Sequence, residues 1–313
     1  MKRHLLPFLL LIGSIALTAC QPTTGNNSGE EDTDSIPVSP DSTAAQDTTP
    51  GIVRIDSSEG DNAGRKYIEG NFTVPAAMEV VYGLYDKNFE CSKWVCKPHE
   101  ARTFGSKAAG DGTIHTRPAG VYPFETSEGR KMLLLTETLS REKDDWEDCH
   151  VCAPILGAVQ FQEIDGAWFI ESLRKDLGEL GSWGQLPANK LVKLGPDEYG
   201  VLFNYGYTAQ GITEGGIRLI GPIEGQFEAL LDLNTSFSNE ASFADPKNEE
   251  GAYSYNSEIN FEDETPGAPY TISITRHGTR PVDGLDGDGP IEKFSEKLKF
   301  VRKGNKYVEV EGN

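Results

Sequence analysis

The sequence predicts an all-β protein: an antiparallel meander forming a sandwich, a barrel or a propeller-like array, with little helix. Three observations carry this. Apolar residues alternate with polar ones over short runs, which is the period of a strand. Gly, Pro, Asp and Asn punctuate those runs, and two of the breaks are two-residue hairpin signals. Helical periodicity is thin, and no clean repeat of about 40–50 residues marks a regular propeller.

Along the chain, strands are expected first at Tyr67–Val74, Met78–Tyr85 and Met132–Leu139. The stretch "SREKDDWEDC" from Ser140 reads as a charged loop. Asp165-Gly166 then sits between "AVQFQEI" and "AWFIES", where two left-handed positions would close a hairpin. "IESLRKDLGEL" from Ile170 offers a turn or two of helix. In "YGVLFNYGY", Tyr199, Val201, Phe203, Tyr205 and Tyr207 share one face, with Gly200, Asn204 and Gly206 opposite. Further strands are expected at Ile217–Ile220, Phe227–Leu231 and Tyr270–Thr275. Tyr253, Tyr255, Ile259 and Phe261 alternate with polar residues, and Gly304-Asn305 turns "KLKFV" onto "KYVEV". Short connections of this kind make sequential strands neighbours. The β unit is expected over residues 51–313, with a subdomain break placed near 120–130.

The N-terminus carries a different signal. Lys2 and Arg3 precede an apolar run, Leu5 to Leu17, too short to span a bilayer but suited to a signal-peptide core. It ends in Leu17-Thr18-Ala19-Cys20. This resembles the lipobox of bacterial lipoprotein precursors, over the first 21 residues only. The resemblance implies cleavage of residues 1–19, diacylglycerol on the Cys20 sulfur and a further acyl chain, such as palmitate, on the new amino terminus. Gln21, standing where Asp would favour the inner membrane, implies the outer membrane. Residues 20–50 follow as an acidic segment without a basic side chain, unable to bury enough apolar surface to fold. As a coil it would span roughly 30 Å, a tether between lipid and domain.

Composition narrows the partners. The formal net charge is −20, and loss of Lys2 and Arg3 with the signal segment makes it −22. Such a surface repels polyanions, so nucleic acid is excluded as a partner. Contact with membrane is expected through the lipid anchor, and the remaining partner is an envelope ligand or protein of unknown kind. No cofactor is implied.

Beyond Cys20 the chain holds Cys91, Cys96, Cys149 and Cys152. An even number in an exported chain points to disulfides, with three connectivities open. Cys-x4-Cys followed at a distance by Cys-x2-Cys also has the spacing of a tetrahedral zinc site, the alternative use of the same four residues. "CHVC" is not a haem attachment signal, because Ala153 stands where the iron-ligating histidine belongs. Nor does it precede the helix that a thioredoxin-like thiolate requires.

Three other features stand out. Arg276-His277-Gly278-Thr279-Arg280-Pro281 resembles the Arg-His-Gly signature of histidine acid phosphatases, in which the histidine is phosphorylated and arginines clamp phosphate. The resemblance covers six residues, lacks one position before the proline and leaves no room for the rest of that domain. "DGLDGDG" presents Asp283, Asp286 and Asp288 on a glycine-rich loop, a weak calcium candidate. Trp183, in the loop-like "GSWGQLP", could form a stacking platform, whereas Trp168 belongs to a core strand. No local nucleophile or phosphate-loop motif is present. The expectation is a non-enzymatic ligand-binding or envelope-scaffolding role, with no catalytic residue assigned. An exported hydrolase with a dispersed site and a cysteine-based metal-binding protein are the alternatives.

Overall fold

The computed structural model describes residues 51–55, 66–142, 145–243, 251–285 and 289–311. The lipobox with Cys20, the 20–50 segment, Asp286 and Asp288 lie outside the described residues. The first part of the chain forms β1 (Ile52–Ile55), β2 (Lys66–Glu69), β3 (Tyr85–Asp86), β4 (Cys91–Val95) and β5 (Thr113–Thr126). It continues with β6 (Gly129–Leu139), β7 (Arg141–Glu142), β8 (Asp145–Trp146), β9 (Ile155–Ile164) and β10 (Ala167–Arg174). The second part forms β11 (Asn189–Lys193), β12 (Tyr199–Ala209), β13 (Ile212–Ile223) and β14 (Gln226–Ser238). β15 (Ser254–Glu262), β16 (Thr271–Pro281), β17 (Ile291–Lys303) and β18 (Lys306–Val310) complete it.

Two eight-stranded antiparallel sheets result, so the all-β expectation holds. The first has the order β1-β2-β10-β9-β6-β5-β4-β3, with β9–β10 folding back to meet β2. The second is a pure meander, β11 through β18 in sequence order, and it curls enough for β14 to approach β18. Turn chemistry explains the hairpins. Asp165 and Gly166 both take left-handed backbone, φ 51° and 78°, as a I′ turn requires. Gln210-Gly211 and Glu224-Gly225 do the same without the Asn or Asp that would have advertised them.

Two expected elements change type. Met78–Tyr85, read as a strand, lies largely in a helix, α1 (Val74–Tyr82). Thr73 caps it, its Oγ1 accepting from the Ala76 amide, Pro75 sits in the first turn and Gly83 at φ 93° ends it. Those signals outweigh the strand propensity of Val80, Val81 and Tyr82. Conversely, the helical turn expected from Ile170 is β10, held by pairing with β9 and β2. The charged loop after Ser140 contains the small β7–β8 ladder.

Among the described residues, three large clusters of buried side chains and a small one of Phe104, Ile114 and Ile155 hold the layers together. Met78, Val81 and Tyr82 of α1 pack on Ile68, Phe161 and Trp168 of the first sheet. Leu133, Leu135 and Leu156 meet Val201, Phe203 and Phe227 between the sheets. Leu202, Leu219, Ile272, Ile274 and Phe300 fill the curl of the second sheet. The stretch near 120–130 is the β5–β6 hairpin, whose strands stay paired within the first sheet from His115↔Leu139 to Thr126↔Gly129. The chain passes from one sheet to the other over residues 175–188.

The cysteine expectation is corrected in part. Cys149 and Cys152 bond to each other, while Cys91 and Cys96 are free thiols. Cys91 opens β4 and Cys96 follows its end, five positions along extended chain or roughly 16 Å. A disulfide bridges Cα atoms at less than half that separation. Burial pushes the Cys91 thiol up, the setting of an inert thiol. The four-cysteine zinc set is therefore not assembled, and no group of three or more metal-ligating side chains occurs among the described residues.

Candidate functional site

The Cys149–Cys152 ring supports an exposed aromatic corner. Within it, His150 points its ring at Trp183 and at Tyr207, with centroids 5.5 and 5.4 Å apart. Trp183 is 53% exposed and Tyr207 54% exposed. The tryptophan sits on a two-residue turn, since Ser182 and Gln185 exchange both backbone hydrogen bonds around Trp183-Gly184. Both turn residues have positive φ, 52° and 64°. A glycine is needed at the second, because a Cβ on Gly184 would lie 2.3 Å from the Glu147 carbonyl oxygen. The turn is zipped onto the disulfide ring: the Trp183 amide donates to the Cys149 carbonyl and the Gly184 amide to that of Cys152.

Opening that ring is expected to cost about 2 kcal/mol on the chain-entropy model for a four-residue loop. The loss is measurable as a lower denaturation midpoint for the C149S/C152S double variant. A change in Trp183 fluorescence should accompany it, because both carbonyls that hold the turn belong to the ring.

Behind the corner lies a cleft of about 680 Å³ whose wall is the β12–β13 hairpin. Tyr205 is fixed there: its hydroxyl donates to Asp232 at 2.7 Å, and Arg218 clamps the other oxygen of that carboxylate at 2.6 and 2.8 Å. Burial, with the adjacent Asp232 carboxylate, pushes the Tyr205 phenol up to about 12, so it remains a neutral donor. Gly216 lies beneath the Tyr205 ring, and a Cβ there would come within 2.5 Å of it. Glu179 and Glu214 bring carboxylates to the cleft, with Glu179 lying 3.8 Å from Lys107.

A second depression, about 420 Å³, shares Glu214 and Asn234 with the first. Its wall is Phe237 stacked on Tyr253 at 4.7 Å, with Tyr255 6.3 Å further along. A bulge makes this possible. Asn234 pairs with Gly216 but Phe237 with Glu214, so Thr235 is an extra residue in β14. It brings Asn234 and Phe237 to one face when simple alternation would separate them. The Ser257 hydroxyl holds the bulge through the Thr235 carbonyl at 2.6 Å, and Arg276 through that of Asn234 at 3.2 Å.

The other sequence candidates are dispersed. Trp94 and Trp168 pack in the first sheet, and Trp146 lies under Arg117. The Arg-His-Gly stretch lies along β16: Arg276 and Arg280 are held by Glu296, and His277 is on the other face, exposed. That alternation keeps histidine and arginines from sharing a phosphate site. Asp283 occupies the turn after β16, while its calcium partners Asp286 and Asp288 are outside the described residues. Sequence reasoning picked out Trp183 but missed its companions His150, Glu214, Asn234 and Phe237, which only register and the disulfide ring bring together. Among the described residues, His150 makes no hydrogen bond to a hydroxyl or carboxylate that would ready it as a general base. Comparison with protein-family models, with curated proteins and with solved structures finds no match to this chain.

Proposed function

We propose that the protein is a lipid-anchored binding protein of the bacterial outer membrane, and that its ligand lies against Trp183, His150 and Tyr207. In this reading Cys20 carries the lipid, the 20–50 segment is the tether, and the role is non-enzymatic. One observation carries the assignment of the site. Trp183 occupies the first left-handed position of a I′ turn, favoured by Asn, Asp or Gly. Gln210 and Glu224 take that position elsewhere in the chain, but Trp183 puts a large ring there with half of it in solvent. A bulky side chain there costs roughly 1–2 kcal/mol, and an exposed ring returns little of it through burial. Strain kept without gain to the fold points to function.

Trp183→Asn separates the two roles. Asparagine suits the turn, so stability should hold or rise by about 0.5–1 kcal/mol. Any ligand that raises the melting temperature of the full chain in a small-molecule and glycan screen should no longer do so in the variant. Ligand-induced shifts that survive the substitution, or turnover of esters, phosphates or glycosides by the full chain, would overturn the reading.

A further inference from the structure

We infer that the ligand is an uncharged, linear glycan chain that crosses the second sheet transversely, from Trp183 to the Phe237–Tyr253 stack. The inference rests on the reading of the Trp183 cleft as a binding site and extends it to a chemical class and a length.

Register supplies the path. Tyr207 pairs with Glu214, Glu214 with Phe237, and Phe237 with Tyr255. Directly opposed residues point to the same side of a sheet, so these four form a row across β12, β13, β14 and β15. At about 4.8 Å per strand the row is roughly 14 Å long. That step is close to the advance per sugar in an extended glycan, so the row matches three or four units. Both depressions are open to solvent, and Glu214 and Asn234 line the two of them.

The chemistry along the row selects the class. Trp183 and Tyr207 at one end are exposed, and at the other the Phe237–Tyr253 stack is half-buried with Tyr255 buried beside it. Both ends thus present apolar ring surface to the C–H faces of pyranose rings. Between them the Asn234 amide and the Glu214 carboxylate are planar groups that can each engage neighbouring hydroxyls. The sole lysine or arginine among the described residues that line the two depressions is Arg276, held by Glu296. A polyanion would meet no available cation there and would be repelled by a chain of net charge −20. Among the described residues, three carboxylates line the two depressions, but Asp232 is held by Arg218 and Tyr205, and Glu179 lies by Lys107. A cationic peptide would thus find Glu214 and no run of acids along the row, where the flanking positions are Tyr207, Phe237 and Tyr255. An elongated, neutral, hydroxyl-rich chain fits the whole row.

The test is calorimetric titration of the full chain with neutral glucan, xylan and mannan oligomers, from disaccharide to octasaccharide, with oligolysine in parallel. At least one glycan series should gain roughly tenfold in affinity between disaccharide and hexasaccharide, as the second depression is reached, and then level off. Trp183→Asn should abolish binding at every length. Phe237→Ala should lower the hexasaccharide to the affinity of the disaccharide and leave the disaccharide unchanged. Glu214→Gln, which keeps an acceptor, should stay within a few-fold. Thermal melts of each variant confirm that it is folded. Salt-sensitive, Trp183-dependent binding of oligolysine with no glycan binding would overturn the glycan and leave the cleft standing. Glycan binding without dependence on length would overturn the transverse path. Absence of any Trp183-dependent binding would overturn both the glycan and the cleft.

Discussion

Phe203→Ala is expected to destabilise the protein by about 3–5 kcal/mol. Phe203 is wholly buried in the middle of β12 and belongs to the cluster that joins Leu133, Leu135 and Leu156 of the first sheet to Val201 and Phe227 of the second. Its removal leaves a cavity between two rigid sheets, which cannot collapse onto each other as a loop could. Set against a usual total of about 5–15 kcal/mol, this is a large fraction of the fold. Urea denaturation should show a lower midpoint with little change in slope. A loss under about 1 kcal/mol would mean that the sheets are joined by something other than this cluster. The substitution also bears on the cleft, because Tyr205 and Tyr207 continue along the same face of the same strand.

Gly278→Ala should cost roughly 3 kcal/mol, for a reason of backbone rather than volume. Gly278 has φ 148°, and a Cβ built on it would lie 2.2 Å from the Ser254 carbonyl oxygen and 2.7 Å from the Tyr255 Cα. Both obstacles are main-chain atoms of β15, so no rotamer change relieves them. Thr279→Ala, one residue on, removes a hydroxyl that accepts from the Ser254 amide at 3.0 Å and donates to the Ser254 carbonyl at 3.3 Å, and should cost only about 1 kcal/mol. Near-equal effects would show that β15 yields easily, and would sink the steric argument. The glycine of the Arg-His-Gly stretch is thus explained by strand packing, as is the pairing of its arginines with Glu296.

What could be read from the sequence follows the range of the interactions involved. Asp165-Gly166 disclosed its hairpin because the two residues that make the turn are adjacent and chemically suited to it. Glu224-Gly225 makes the same turn silently, its first residue being forced left-handed by the strands on either side. Met78–Tyr82 reads as a strand because Val80, Val81 and Tyr82 favour one, while the opposing signals, Thr73 and Gly83, stand at the margins of the segment. Trp183 was visible as a ring in a loop-like context. Its companions were not, since Tyr207, Glu214, Phe237 and Tyr255 become neighbours only through three successive strand registers and a bulge at Thr235. The cysteines were legible as a disulfide framework but not in their pairing, which depended on β4 holding Cys91 and Cys96 apart.

The two strand orders impose different timetables on a chain that emerges from its N-terminus onward. The second sheet can assemble as it appears, each strand docking on the one before it, with little loop-closure entropy at any step. The first cannot. Glu69 of β2 waits for Ala167 of β10, and until then Ile68 and the apolar side of α1 have no partner in that strand. Until β10 is made, that apolar surface, in the first third of the chain, is left uncovered by it. The segment from Lys66 to Tyr82 is therefore where a holding chaperone would grip a partly emerged molecule, and where crowding would first turn folding into aggregation.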